Sequence, residues 1–205
     1  MTEPGYGLQG AGLMLDDGWQ AGVTANSKLA SGGLWEGYHA ADSRFWRVHP
    51  EKFPDGLEPL VEAARKAGKE LALWFSPDSS NDFANWEEDA AILLDLYHRH
   101  GIRAFKLDGI KLRTRLGERR FGWLLDALDE GSDSAIVPVL DVTSEVRQGY
   151  FREIDHGILF LENRYTDWGN YYPYRTLRSI WQLSRWIPAQ RLHIEFLNPR
   201  RNRET

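Results

Sequence analysis

The chain has 205 residues, 42% of them hydrophobic, and a formal charge of -5. That length allows one domain with a real core, and the charge implies no broad basic surface, which argues against a nucleic-acid partner. Cysteine is absent, so disulfides and thiol chemistry are excluded.

Strand and helix patterns alternate along the chain. Gly12 to Asp16 is a short apolar run ending in acid. Phe53-Pro54-Asp55-Gly56 is a turn before a helix over 57–67, with Leu57, Leu60, Val61 and Ala64 on one face. Leu71 to Phe75 reads as a buried strand stopped by Ser76-Pro77. Trp86 to Arg99 reads as a helix with Ile92, Leu93 and Leu96 inward, and Gly101 to Leu107 as the next strand. A helix over 119–128 follows, then a strand over 135–140 despite Pro138. Helix is expected over 145–152, strand over 157–161, and helix over 174–186 with Leu177, Ile180, Trp181 and Ser184 along one stripe. Leu192 to Leu197 is the last strand.

This βα repeat calls for a parallel sheet. The expected fold class is α/β, a partial or compact (β/α)8 TIM-like barrel with about six recognisable strands, where eight would close it. One catalytic domain over 1–205 is expected, and it reads as a fragment. No internal repeat or low-complexity linker divides it, and residues 23–46 are left without a clear element. No apolar run approaches the roughly 20 residues that cross a bilayer. Met1 to Gly12 lacks the basic start and apolar stretch of a signal peptide. The expected location is therefore cytoplasmic, with no membrane partner.

Acidic residues gather at the apparent strand ends, where barrel enzymes carry their chemistry. Asp108 closes Phe105-Lys106-Leu107-Asp108, and Lys106, two residues earlier, points to the same side. Lys106 can hold Asp108 ionised or bond a sugar hydroxyl; a structural ion pair is the equal alternative. Asp16 and Asp17 precede Gly18-Trp19, and adjacent acids there either cap a turn or clamp vicinal hydroxyls beside an aromatic platform. Trp74 is the residue of its strand expected to face the pocket. Glu162, Asn163, Arg164 and Asp167 crowd the segment after the 157–161 strand, and Glu195 stands near the last strand end. Histidines lack metal-ligand spacing and no phosphate loop is present, so neither metal nor cofactor is expected. Nine Trp, eight Tyr and nine Phe supply flat faces suited to sugar rings, although most are expected in the core.

With these residues in view, the chain resembles the catalytic barrel of the alpha-galactosidase and melibiase-like glycoside hydrolases over most of 12–198. The likeness rests on Asp16-Asp17-Gly18-Trp19, Phe53-Pro54-Asp55-Gly56-Leu57, Leu73-Trp74-Phe75-Ser76-Pro77 and Phe105-Lys106-Leu107-Asp108, in that order. The resemblance implies Asp108 as nucleophile and Asp16, Asp17, Trp19, Trp74 and Lys106 as sugar contacts. It implies Asp167, preceded by Arg164, as acid/base, with Glu162 before Asn163 as the alternative. The family's Cys- and Gly-rich fifth-strand motif is replaced by Asp141-Val142-Thr143-Ser144 and Arg147. Its first and eighth strands have no recognisable counterpart, which makes self-association an expectation too.

The implied activity is retaining hydrolysis of terminal alpha-linked sugars through a covalent glycosyl-enzyme, with a carbohydrate as partner. A carbohydrate-binding protein without turnover and an inactive barrel fragment are the alternatives.

Overall fold

The computed structural model describes residues 12–25, 33–141, 155–161 and 173–194. Its strands are β1 (Leu13–Leu15), β2 (Leu71–Phe75), β3 (Ala104–Leu107), β4 (Val137–Asp141), β5 (Ile158–Leu161) and β6 (Leu192–Ile194). Its helices are α1 (Tyr38–Ala41), α2 (Glu58–Lys66), α3 (Trp86–His100), α4 (Arg115–Ser132) and α5 (Pro173–Leu183). The strands form one six-stranded sheet in chain order, β1-β2-β3-β4-β5-β6. Every neighbouring pair is parallel. The protein is thus α/β with an all-parallel sheet, as its alternating patterns require.

Register sorts the strand residues into two faces, because side chains opposite one another share a face and alternate along each strand. Leu73 lies opposite Phe105, and Phe75 opposite Leu107, which lies opposite Leu140. All five are sealed from solvent and join Leu93 of α3 and Phe121, Leu124, Leu125 and Leu128 of α4 in the core. The other face carries Trp74 opposite Lys106, Lys106 opposite Val139, and Asp141 opposite Phe160. A parallel sheet buried on both faces reads as continuous apolar sequence. The second face breaks that rule toward the carboxyl ends of its strands, where Lys106, Asp108 and Asp141 stand, and at the exposed His193 of β6, opposite Phe160. At its opposite rim Met14 and Val137 are exposed.

Several boundaries shift for local reasons. β3 starts at Ala104 rather than Gly101, because Gly101 adopts φ +68 and its N–H closes α3 on the Tyr97 carbonyl at 2.8 Å. Helix α4 begins at Arg115, four residues before the expected start. Its cap is Thr114, whose hydroxyl accepts the Gly117 N–H at 3.0 Å. It also runs on to Ser132 through Gly131, where a Cβ would meet Leu94 of α3 at 2.7 Å. Gly131 there packs directly against the Leu94 side chain. Pro138 is tolerated as the second residue of β4, near a strand start.

Helix α5 ends at Leu183 rather than Trp186, and along its stripe Leu177 is 50% and Trp181 64% exposed. Residues 23–46 hold the short helix α1 and an isolated parallel bridge between Thr24 and Leu34. The helix expected over 145–152 lies outside the described residues. No described helix is long and apolar enough to cross a membrane.

Candidate active site

Asp108 stands one residue beyond β3 and is 7% exposed. Its backbone N–H donates to the Phe75 carbonyl at 2.9 Å, extending the β2–β3 ladder by one step. Its carboxylate accepts two hydrogen bonds, from Trp74 Nε1 at 3.1 Å and from the Gly109 N–H at 2.6 Å. Gly109 can turn back so tightly because its φ is +66, a region unfavourable to other residues. A Cβ there would also lie 2.6 Å from Ser76 Oγ and 3.4 Å from the Trp35 ring. The nucleophile candidate is therefore a fixed carboxylate whose two oxygens each keep lone-pair capacity.

The described ion pairs of Lys106 are with acids of other strand ends rather than with Asp108. Its Nζ lies 3.3 Å from Asp141 Oδ2 and 3.9 Å from Asp16 Oδ2, and 5.5 Å from the centre of the Phe160 ring. Lys106 and Asp141 are both nearly sealed, at 4% and 1% exposure. An ion pair held this deep requires close partners, because each charge alone would cost several kcal/mol to desolvate.

The acids after β1 divide their work. Asp16 is the exposed member, with 57% of its side chain accessible. Asp17 is occupied internally: Gln20 Nε2 donates to it at 2.7 Å and the Thr24 hydroxyl bonds its other oxygen. Trp19 is 2% exposed and donates Nε1 to the Trp74 carbonyl at 2.7 Å, while Trp74 is fully buried. Trp74 thus lies on the face of Lys106 and Asp108, as its strand position suggested, with Trp19 bonded to its carbonyl, but both indoles are buried. Glu162, Asn163, Arg164, Asp167 and Glu195 lie outside the described residues.

A second polar layer fixes the segment 33–39 over the tips of β2 and β3. Gly37 N–H donates to Asp78 Oδ1 at 2.7 Å, and Tyr38 Oη donates to the Trp35 carbonyl at 2.7 Å. Burial alone would push Asp78 up, but the Gly37 N–H and the Ser80 donors outweigh it and hold this carboxyl below its ordinary range. Glu36 pairs with Arg113 at 3.0 Å and Lys111 at 3.4 Å. The Arg113 hydrogen bond is the main cause holding Glu36 below the usual carboxylate range. His39 Nε2 meets Asp89 Oδ1 at 3.0 Å, and Asp89 Oδ2 accepts the Asp78 N–H at 2.7 Å. Burial pushes Asp89 up to about 6, and the hydrogen bond to Asp89 raises His39.

Both folded values of the His39–Asp89 pair lie above their unfolded ones. The stability they contribute is therefore fully present at acid pH, and it is lost as pH rises through about 6 and then through the raised His39 value. His39→Gln should lower the melting temperature by about 4 °C at pH 6, and the gap to the parent should close by about pH 9. Melting curves across that range check it; a gap constant with pH would show that the His39 charge is not used.

Asp141, Trp35 and Glu36 were not singled out as site residues from sequence. Asp141 could have been: Val139-Leu140-Asp141 ends a strand on acid just as Phe105 to Asp108 does. Trp35 could not, since only the path of the 33–39 segment brings it over Gly109. Three grooves among the described residues, of about 400, 920 and 530 Å³, lie between α3 and the segment 43–48, at the amino ends of β2 and β3, and along residues 42–51, and none is lined by Asp108, Lys106 or Asp141. No protein-family model, curated protein or solved structure matches the chain.

Proposed function

We propose that the chain is a retaining alpha-glycosidase of alpha-galactosidase type, acting on terminal alpha-linked sugars. The observation that carries this reading is the fixed Asp108 carboxylate at a strand tip, on the sheet face that also holds Lys106 and Asp141. The fold supports it as well. Parallel strands in unbroken chain order have no reversal point of the kind at which an open doubly wound sheet binds its ligand. We read them as six strands of a (β/α)8 barrel, whose catalytic groups stand at this end.

In this mechanism an Asp108 oxygen attacks the anomeric carbon as the glycosidic C–O bond breaks. The acid/base, Asp167 with Glu162 as the alternative, gives its proton to the leaving oxygen. Water then attacks the same carbon from the vacated side and gives a proton back to the acid/base. The Asp108 ester bond breaks, and Asp108 returns as carboxylate. The buried ammonium of Lys106 and the exposed carboxylate of Asp16 supply hydroxyl-binding groups beside it.

Two displacements at one carbon restore the starting configuration. With aryl alpha-glycosides of galactose, glucose and mannose as substrates, proton NMR should show the alpha anomer of the sugar forming first. A beta anomer first would replace retention by inversion, and no hydrolysis across the panel would overturn the reading.

A further inference from the structure

Trp35 is the half-buried aromatic residue whose surroundings the mechanism above leaves unused. It belongs to no strand or helix, yet the chain around it is tied to the tips of three strands. Leu34 N–H donates to the Val23 carbonyl at 2.9 Å, in the loop after β1. The Trp35 carbonyl and the Gly37 N–H bond Tyr38 Oη and Asp78, and Tyr38 Oη also meets Ser76 Oγ at 3.2 Å, in the segment after β2. Glu36 is clamped by Lys111 and Arg113, which follow β3. The indole edge rests against Gly109, with Cζ3 and Cε3 lying 3.4 and 3.6 Å from where a Cβ would stand. Gly109 is the residue whose N–H holds the Asp108 carboxylate.

Three loops thus spend hydrogen bonds and ion pairs on fixing the backbone that presents one indole next to one carboxylate. Trp19 and Trp74 are buried, so among the described residues Trp35, beside Asp108, and Phe160, beside Lys106, are the half-buried rings left at these strand tips, and Trp35 is the one against Gly109. We propose that Trp35 is the stacking platform of this site, its ring covering the apolar C–H face of a hexopyranose placed against Asp108. A large flat side chain with few torsions is suited to that contact, because little rotamer freedom is lost on binding. The inference rests on reading the strand tips as a sugar site, not on turnover.

Isothermal titration of the whole chain with free galactose, glucose and mannose tests it, since these sugars are not consumed. The parent should bind at least one saturably. Trp35→Ala and Trp35→Leu should each weaken that binding about tenfold or more. Trp35→Phe should recover it to within about threefold of the parent. The Leu variant keeps apolar bulk without a flat face, so it answers the question if the Ala variant does not fold. Equal affinity in parent and Leu variant, or no saturable binding by the parent, would overturn the inference. Trp35-dependent binding in a parent that hydrolyses no glycoside would keep the platform and remove the glycosidase. Hydrolysis by the parent with unchanged affinity in the variants would do the reverse.

Discussion

Asp108→Asn is expected to abolish hydrolysis of aryl alpha-glycosides, lowering kcat/KM by at least about 10⁴-fold. A carboxamide cannot form the ester intermediate, so the loss should fall on the first displacement. The substitution also disturbs the fold locally, and that must be separated from chemistry. Asp108 accepts from both Trp74 Nε1 and the Gly109 N–H. An asparagine has one oxygen to offer, so one of those donors would face an NH₂ group. That costs about 1–3 kcal/mol. Asp108→Ala with added azide makes the distinction. Azide can enter the space left by the carboxylate and attack the anomeric carbon of a substrate with a good leaving group, giving the inverted glycosyl azide. Azide-dependent turnover would mark Asp108 as the nucleophile, whereas activity in Asp108→Asn equal to the parent would remove it from the reaction.

Much of the scaffold was legible because strands buried on their helix-facing side leave dense apolar runs. Leu71 to Phe75 is such a run, and its bounds are as expected. All six strands occupy the expected places, since each run is bracketed by a glycine, a proline or an acid. What failed were positions where a turn-forming residue serves packing. Gly131 lies inside α4, packed directly against the Leu94 side chain. Gly101, conversely, ends a helix where an extended residue was expected.

The site was legible in part for the same reason. Strand alternation places Lys106 and Asp108 on one face, and that is a local property of the chain. Which acid answers Lys106 is not local. It depends on the register of β4 against β3, which puts Val139 opposite Lys106 and Asp141 one pleat further along. Trp35 is a stronger case, since nothing near it in sequence points toward Asp108. Its place is set by contacts to residues 41 to 77 positions away, such as Asp78 with Gly37 and Arg113 with Glu36.

Lys106→Met should cost roughly 3 kcal/mol of stability, the lower end of the range for withdrawing one partner from a buried ion pair. The substitution preserves length and apolar bulk, and it takes the ammonium away from Asp141, a carboxylate only 1% exposed. Asp16 contributes less, because it lies further from Nζ and more than half of its side chain meets water. A loss of that size in a chain of this length lowers the melting temperature by about 6–12 °C. Adding Asp141→Asn should then return more than half of it, since the doubly altered chain buries neither charge of this pair and Asn keeps the shape of the acid. The sign of that coupling is the decisive quantity: two variants that simply add would mean no energetic link between the tips of β3 and β4. Positive coupling of about 1 kcal/mol or more would establish the link, with Lys106 holding the two strand ends in the arrangement Asp108 needs. Urea unfolding of the parent, both single variants and the double variant measures all four corners of the cycle. Assaying the same four proteins separates structure from chemistry: if the double variant is stable but binds sugar weakly, the Lys106 charge is used by the substrate as well as by the fold.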